Sequence, residues 1–299
     1  MVVEPIVKWS GSKRSQAEEI VNRFPRQIDT YYEPFCGGCS VLYRLLQTPS
    51  VSVKRFVASD INADLIALWN EIKNNYQRLC EDYARIWGTF NKHGFDIDDI
   101  ERRKDVFYTV RDRLNEEHKP ADFLFILRTT TNGMPRYNAK GEFNNSCHFS
   151  RPGIDPSRIL KICRDWNAVL NARNVEFRHC SYDEIESQDG DLVYMDPPYA
   201  SLDRHQMYFG GIDLDKFFSW LGGVNARWVL SFDGTAGEDD FTYSVPKIYS
   251  RHEYLESGIS GFRNLMEKQV YVRESLYMNF TPDVQTNQTI IQGELFDGC

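Results

Sequence analysis

The sequence predicts an α/β fold, with a sheet of the dinucleotide-binding type interrupted by a mainly helical insert. Three observations predict it. Tyr31-Tyr32-Glu33-Pro34-Phe35-Cys36-Gly37-Gly38, followed by Val41, Leu42, Leu45 and Leu46 at helical spacing, reads as strand, glycine turn, helix. A second strand runs from Phe56 to Asp60, and in dinucleotide-binding units an acid follows the glycine turn by roughly 20 residues. Beyond residue 175 strand and helix patterns alternate again, after a long stretch that reads as helices.

Each element has its own warrant. Gly37 and Gly38 let backbone approach a ligand, and the helix that follows offers free N–H groups at its N-terminus. Asp60 ends its strand as an acceptor suited to both hydroxyls of a ribose. Residues 64–87 carry apolar side chains at helical spacing with no Pro or Gly. Residues 101–114 and 121–127 read as two further helices, the second ended by Thr129-Thr130-Thr131. Residues 136–143 read as a hairpin around Asn138-Ala139-Lys140-Gly141. Asp155-Pro156-Ser157 opens another helix, with Pro in its first turn. Its stripe Ile159, Ile162, Trp166, Val169 and Leu170 should pack on the sheet. Strands at 175–179, 192–196 and 227–232 and a helix at 214–221 follow, and a strand pair near 247–252 and 269–280 completes the sheet.

The sharpest chemical signal is Asp196-Pro197-Pro198-Tyr199, at the end of the apolar run Leu192-Val193-Tyr194-Met195. Asp196 and the Pro197 carbonyl are acceptors for the two hydrogens of an exocyclic amine. Pro198 has no N–H and a fixed φ, so the turn is stiff. Tyr199 offers a face on which a planar base stacks. A strand that ends in Asp before a Pro-rich turn is also ordinary α/β punctuation, so this block gains weight only beside the glycine turn and Asp60.

Together these blocks resemble the Dam-type (D12 class, alpha-group) N6-adenine-specific DNA methyltransferases. Lys8-Trp9-Ser10-Gly11-Ser12-Lys13 is similar to the N-terminal block that touches the cofactor in that family. Glu33 to Gly38 resembles its cofactor loop, Ser59-Asp60-Ile61-Asn62 its ribose-binding strand end, and Asp196 to Tyr199 its catalytic block. Asn132-Gly133-Met134-Pro135-Arg136-Tyr137-Asn138 with Gly141-Glu142-Phe143-Asn144 is similar to the DNA-reading hairpin. The resemblance spans residues 5–280 and implies a Rossmann-like S-adenosylmethionine-dependent methyltransferase sheet. It further implies a catalytic domain of residues 1–62 and 156–282 and a target-recognition insert of 63–155; residues 283–299, polar and outside the resemblance, read as a flexible tail.

The same resemblance assigns candidate roles. Asp196, Pro197, Pro198 and Tyr199 are catalytic. Trp9, Lys13, Phe35, Gly37, Gly38, Asp60, Ser181, Tyr182 and Asp196 bind S-adenosylmethionine, with Lys13 set against the methionine carboxylate. Asn132, Arg136, Asn138 and Lys140 contact double-stranded DNA, Arg136 at a guanine edge or at a phosphate. Two positions depart from the family pattern. Cys39 stands where a small residue is usual, and Ser181-Tyr182 stands where an Asp-Phe pair often flanks the cofactor adenine. The implied activity is N6-adenine methylation. Cytosine N4 methylation and a catalytically inactive DNA-binding homologue are the alternatives, and Asp at position 196 favours adenine.

Composition sets the remaining expectations. The 299 residues carry a net charge of −8, awkward for a DNA-binding protein, but phosphate contacts need only local positive charge. Residues 102–161 hold 12 Lys and Arg against 7 Asp and Glu, a net +5 that leaves −13 elsewhere. The seven cysteines form no disulfide framework, and the Cys36/Cys39 pair has no second pair to complete a zinc site. No metal is expected, and a reducing cytoplasm is the expected compartment. The N-terminus lacks a signal-type apolar region, and no apolar run is long enough to span a membrane. A monomer or weak dimer is expected. The polar tail ends in Gln292-Gly293-Glu294-Leu295-Phe296, whose Gln292, Leu295 and Phe296 resemble a sliding-clamp-binding peptide.

Overall fold

The computed structural model describes residues 4–7, 9, 11–92, 99–131, 135–148, 150–198, 212–236, 239–240, 244–259 and 271–282. Tyr199, Asn132 and the tail peptide with Gln292, Leu295 and Phe296 lie outside the described residues.

In chain order the elements are α1 (Ala17–Val21), β1 (Gln27–Glu33), α2 (Ser40–Leu46), β2 (Ser52–Asp60), α3 (Ala63–Phe90), α4 (Ile100–Glu117), α5 (Pro120–Thr129) and α6 (Pro156–Ala172). Then follow β3 (Glu176–His179), β4 (Leu192–Met195), α7 (Leu214–Gly222), β5 (Arg227–Ala236), β6 (Asp239–Asp240), β7 (Arg251–Ile259) and β8 (Tyr271–Met278). Seven strands lie in the order β3-β2-β1-β4-β5-β8-β7, and β6 pairs only with β5. The pairs from β3 to β5 are parallel, while β8 runs antiparallel to both β5 and β7. The expected Rossmann-like α/β sheet is present. Strand order reverses between β1 and β4, and ligands of such sheets sit outside the carboxyl ends of the strands at this switch point.

The pleat divides the core in two. Tyr31, Phe56, Ala58, Leu192 and Tyr194 join the larger cluster, which continues into helices α1 to α6. Tyr32, Val57, Val193 and Met195 face the other way, against Phe217, Phe218 and Leu221 of α7. All four β4 residues are buried, as expected for a central parallel strand covered on both faces.

The helix expected over 64–87 runs from Ala63 to Phe90, capped by the Asn62 side chain accepting from Leu65 N–H at 3.0 Å. It kinks at Asn75 (φ −143°, ψ 40°), where no Pro or Gly stands. Two amides from α6 satisfy carbonyls at the break: Asn167 Nδ2 donates to Ile72 and Lys73, and Asn171 Nδ2 donates to Lys73 at 2.8 Å. Trp69, before the kink, stacks on Phe177 of β3 with centroids 5.7 Å apart. After the kink, Tyr83 meets Phe125 of α5. The helix thus belongs to the sheet at one end and to the helical insert at the other. Residues 121–129 of α5 are buried without exception, as fits a helix wrapped by its neighbours. Arg128 donates from Nε to the Ile6 carbonyl at 2.8 Å, and burial lowers its guanidinium pKa to about 10.

One element is displaced from its expected place. The strand expected over 247–252 begins only at Arg251 and continues to Ile259. Pro246 accepts from Ile248 N–H at 2.7 Å, which folds the chain into a tight turn before it extends. Among the described residues no helix is long and apolar enough to cross a membrane.

Candidate active site

A cleft opens at the carboxyl ends of β1, β2 and β4. It brings together Trp9, Lys13, Phe35, Gly37, Gly38, Asp60, Ser181, Tyr182, Asp196, Pro197 and Pro198. The loop after β1 is held from several sides. Cys36 N–H donates to the Ser59 carbonyl at 2.9 Å, and Trp69 Nε1 donates to the Gly37 carbonyl at 3.0 Å. Gly37 has φ +44°, and a Cβ placed there would come within 2.7 Å of the Trp9 ring. Glycine is therefore required both by conformation and by closeness to the indole.

Asp60 ends β2 with both carboxylate oxygens in use. Oδ2 accepts Gly37 N–H at 3.1 Å, and Oδ1 accepts Asn62 N–H at 3.0 Å. Burial raises its pKa to about 6 even though these N–H groups favour the anion. Phe35 and Tyr182 stack with centroids 5.6 Å apart, 26° from parallel, and form an aromatic wall. Tyr182 sits in a single 3-10 turn closed by Glu184, whose Oε1 accepts Ser181 N–H at 2.7 Å.

Opposite lies a charged cluster. The Lys13 ammonium is buried, 2.7 Å from Asp196 Oδ1, 3.4 Å from Glu274 Oε2 and 3.2 Å from the Gly11 carbonyl. Burial alone would lower the Lys13 pKa, but the two carboxylates outweigh it and hold the ammonium above its ordinary range. Glu33, also buried, accepts from Tyr31 Oη at 2.6 Å. Burial and the charge of Asp196 raise its pKa to about 8 against the Tyr31 hydrogen bond, so near neutrality it carries a proton.

The hairpin between α5 and α6 pairs Tyr137 with Phe143. Asn115 of α4 clamps it, donating to the Phe143 carbonyl at 3.1 Å and accepting from Phe143 N–H at 2.8 Å. Arg136 and Lys140 are exposed. The Asn138 side chain accepts Lys140 and Glu142 N–H and donates to Glu142 Oε2, so it shapes the turn. Much of the insert's positive charge is engaged internally: Arg113 with Asp122, Arg111 with Asp112, Lys104 with Glu101, Arg102 with Asp99, and Lys119 with Glu117. Arg103 and Arg128 are buried. Arg136, Asn138 and Lys140 do not line the cleft, but Tyr137 does, and its Oη accepts from Asn62 Nδ2 at 2.7 Å.

Four contributors escaped the sequence reading: Glu33, Asn62, Tyr137 and Glu274. Glu33, Asn62 and Tyr137 lay inside quoted motifs without a role. Glu274 did leave a signal. It alternates with Leu276 and Met278, both buried, so a carboxylate interrupts an apolar strand face.

The family model described as D12 class N6 adenine-specific DNA methyltransferase matches residues 9–216. The type II methyltransferase M.MjaIII of Methanocaldococcus jannaschii is 34% identical over 257 residues, which cover 77% of this chain and 84% of that protein. A DNA adenine methylase of Haemophilus influenzae is 30% identical over 212 residues, 69% of this chain and 67% of that protein. The match runs from Trp9 through the glycine loop, Asp60 and the hairpin to Asp196 and beyond, and the chain belongs to the D12 class N6 adenine-specific DNA methyltransferases.

Proposed function

We propose that the protein transfers the methyl group of S-adenosylmethionine to the N6 amino group of adenine in a specific duplex DNA sequence, with the target base flipped out of the helix. The observation that carries this reading is the single cleft that holds Asp196-Pro197-Pro198 together with the Gly37-Gly38 loop and Asp60. The cleft fits the cofactor. A glycine loop open to close approach, an aromatic wall of Phe35 and Tyr182, and several carboxylates suit a nucleoside that carries a cationic centre. Asp60 would take the ribose hydroxyls, with Trp9, Phe35, Ser181 and Tyr182 around the base. When bound, S-adenosylmethionine supplies a methyl group on sulfonium, already an excellent leaving group.

The chain's own work is positioning and electrostatics. An adenine amine in a duplex is paired and stacked, and its lone pair is delocalised into the ring. Flipping costs a few kcal/mol. Asp196 and the Pro197 carbonyl accept the two amino hydrogens, which drives the nitrogen towards tetrahedral and localises its lone pair. Tyr199 stacks on the flipped base. Asp196 acts as an acceptor, since an aniline-like amine is not deprotonated before attack. Arg136 and Lys140, which do not line the cleft, contact DNA together with Asn132, and Asn138 holds the turn that carries Lys140. In this division residues 1–62 and 156–282 catalyse, and residues 63–155 recognise the target. The tail of residues 283–299 docks a sliding clamp through Gln292, Leu295 and Phe296. Unchanged clamp binding after deletion of residues 291–299 would remove that last element.

The test is incubation with unmethylated duplex DNA and S-adenosylmethionine, digestion to nucleosides and mass spectrometry. N6-methyladenine is expected, and it should vanish in Asp196→Ala. N4-methylcytosine, or no methylated base despite cofactor binding, would overturn the proposal.

A further inference from the structure

The Lys13 ammonium lies directly on the oxygen that the proposed chemistry requires. It is 2.7 Å from Asp196 Oδ1, and the lysine side chain is 4% exposed. In such a place a contact ion pair is strong, and a carboxylate neutralised by an ammonium is a weaker acceptor for a neutral amine. A second carboxylate shares the same ammonium, because Glu274 Oε2 is 3.4 Å away. The Gly11 carbonyl is a further acceptor for the ammonium, at 3.2 Å. Two carboxylates and one ammonium leave the cluster net negative. That suits a reaction that begins from a sulfonium and places positive charge on nitrogen as the N–C bond forms.

The backbone is built to deliver Glu274 there. The register of β5 against β8 shifts between Phe232 and Thr235. Within that shift a Cβ at Gly234 would lie 2.0 Å from the Arg273 carbonyl oxygen, so only glycine lets β5 pass this point of β8. Irregularities of this kind re-aim side chains beside active sites. Leu276 and Met278, on the same face, are buried. A carboxylate on such a face costs desolvation that an apolar side chain avoids, and exchanging buried ion pairs for apolar groups is often neutral or stabilising. Packing therefore does not account for Glu274.

We propose that Glu274 is a positioning residue for methyl transfer: it draws the Lys13 ammonium partly away from Asp196, so that Asp196 keeps a lone pair for the substrate amine. The inference rests on the reading of Asp196 as the amine acceptor. Glu274 touches neither the base nor the methyl group, and its effect passes through Lys13.

The measurement is steady-state and single-turnover methylation by Glu274→Gln, Glu274→Asp, Lys13→Met and the Lys13→Met/Glu274→Gln double variant, with Asp196→Ala alongside. Glu274→Gln is expected to lower kcat and the single-turnover rate by about 10- to 100-fold, with KM for DNA and for S-adenosylmethionine within about threefold of wild type. Glu274→Asp should recover part of that loss. In the Lys13→Met background, Glu274→Gln should change the rate by less than about threefold, since residues acting through one another are not additive. A wild-type rate in Glu274→Gln, a loss confined to KM, or losses that multiply in the double variant would overturn the proposal. If Glu274→Gln does not fold by its thermal transition, Glu274→Asp decides alone: a wild-type rate there also overturns it. Activity in Asp196→Ala would defeat the underlying reading instead. An inactive Asp196→Ala beside a fully active Glu274→Gln would defeat this inference only.

Discussion

Glu33 is a carboxyl that titrates inside the fold, and the sign of its effect is fixed. Its pKa rises from an ordinary 4.5 to about 8, first through burial. Such a group stabilises the protein fully below its unfolded value, and that contribution is lost as pH climbs to the folded value. In that window the loss is roughly 1.4 kcal/mol per pH unit at most. Asp60, raised to about 6, acts in the same direction at lower pH. The melting temperature should therefore fall between pH 5.5 and 8.5, and Glu33→Gln should flatten the fall. An unchanged slope in Glu33→Gln, read by differential scanning fluorimetry, would sink the assignment. Gly37 offers an independent test. At φ +44°, with Trp9 within 2.7 Å of any Cβ, Gly37→Ala is expected to destabilise by about 1–3 kcal/mol. It should also weaken S-adenosylmethionine binding at least tenfold by calorimetry, and wild-type affinity would count against this loop as the cofactor cradle. Sequence revealed these residues unequally. Gly37 and Asp60 announce themselves by type and spacing, whereas the proton on Glu33 depends on burial and on Asp196, far away in the chain.

The hairpin and its clamp are the elements most open to experiment. Asn115 makes two hydrogen bonds to the Phe143 backbone and does not itself line the cleft, so Asn115→Ala should act on the hairpin first. Its expected signature is a raised KM for DNA with unchanged cofactor affinity. A cofactor defect would mean that α4 supports the cleft rather than the hairpin. Arg136→Ala should weaken binding by about 1–3 kcal/mol and relax preference at one base pair if Arg136 reads a base edge. Uniform weakening across sequences would reduce it to a phosphate contact. The turn itself was readable, because Asn138 and Gly141 carry the chemistry of tight turns. The kink in α3 was not. The amides that satisfy carbonyls at the break come from two asparagines on α6, more than 90 residues away in the chain. Nor was the start of β7, where the turn at Pro246 delays extension of the chain.

At the scale of the molecule, the sequence carries a net charge of −8, and among the described residues Lys104, Arg111 and Arg113 of the insert are paired internally. DNA affinity should thus depend only modestly on salt. Each phosphate contact adds roughly 0.9 to the log–log slope, and a slope magnitude below about 4 is expected. A slope steeper than about 6, from anisotropy titrations between 50 and 200 mM salt, would reveal a second basic surface. Fold class was legible because glycine turn, acid-ended strands and buried runs are local patterns. The double attachment of α3, to β3 through Trp69 and to α5 through Tyr83, was not, since it depends on contacts distant in the chain. Sheet order bears on the life of the protein in the cell. β8 follows β7 in the chain, yet it lies between β5 and β7 and brings Glu274 back to Lys13, near the start of the chain. A nascent polypeptide halted before residue 271 has no partner for β7 and an unfinished cluster around Asp196. Products terminated before residue 271 should consequently methylate DNA poorly, so that marks are written only by chains translated through β8.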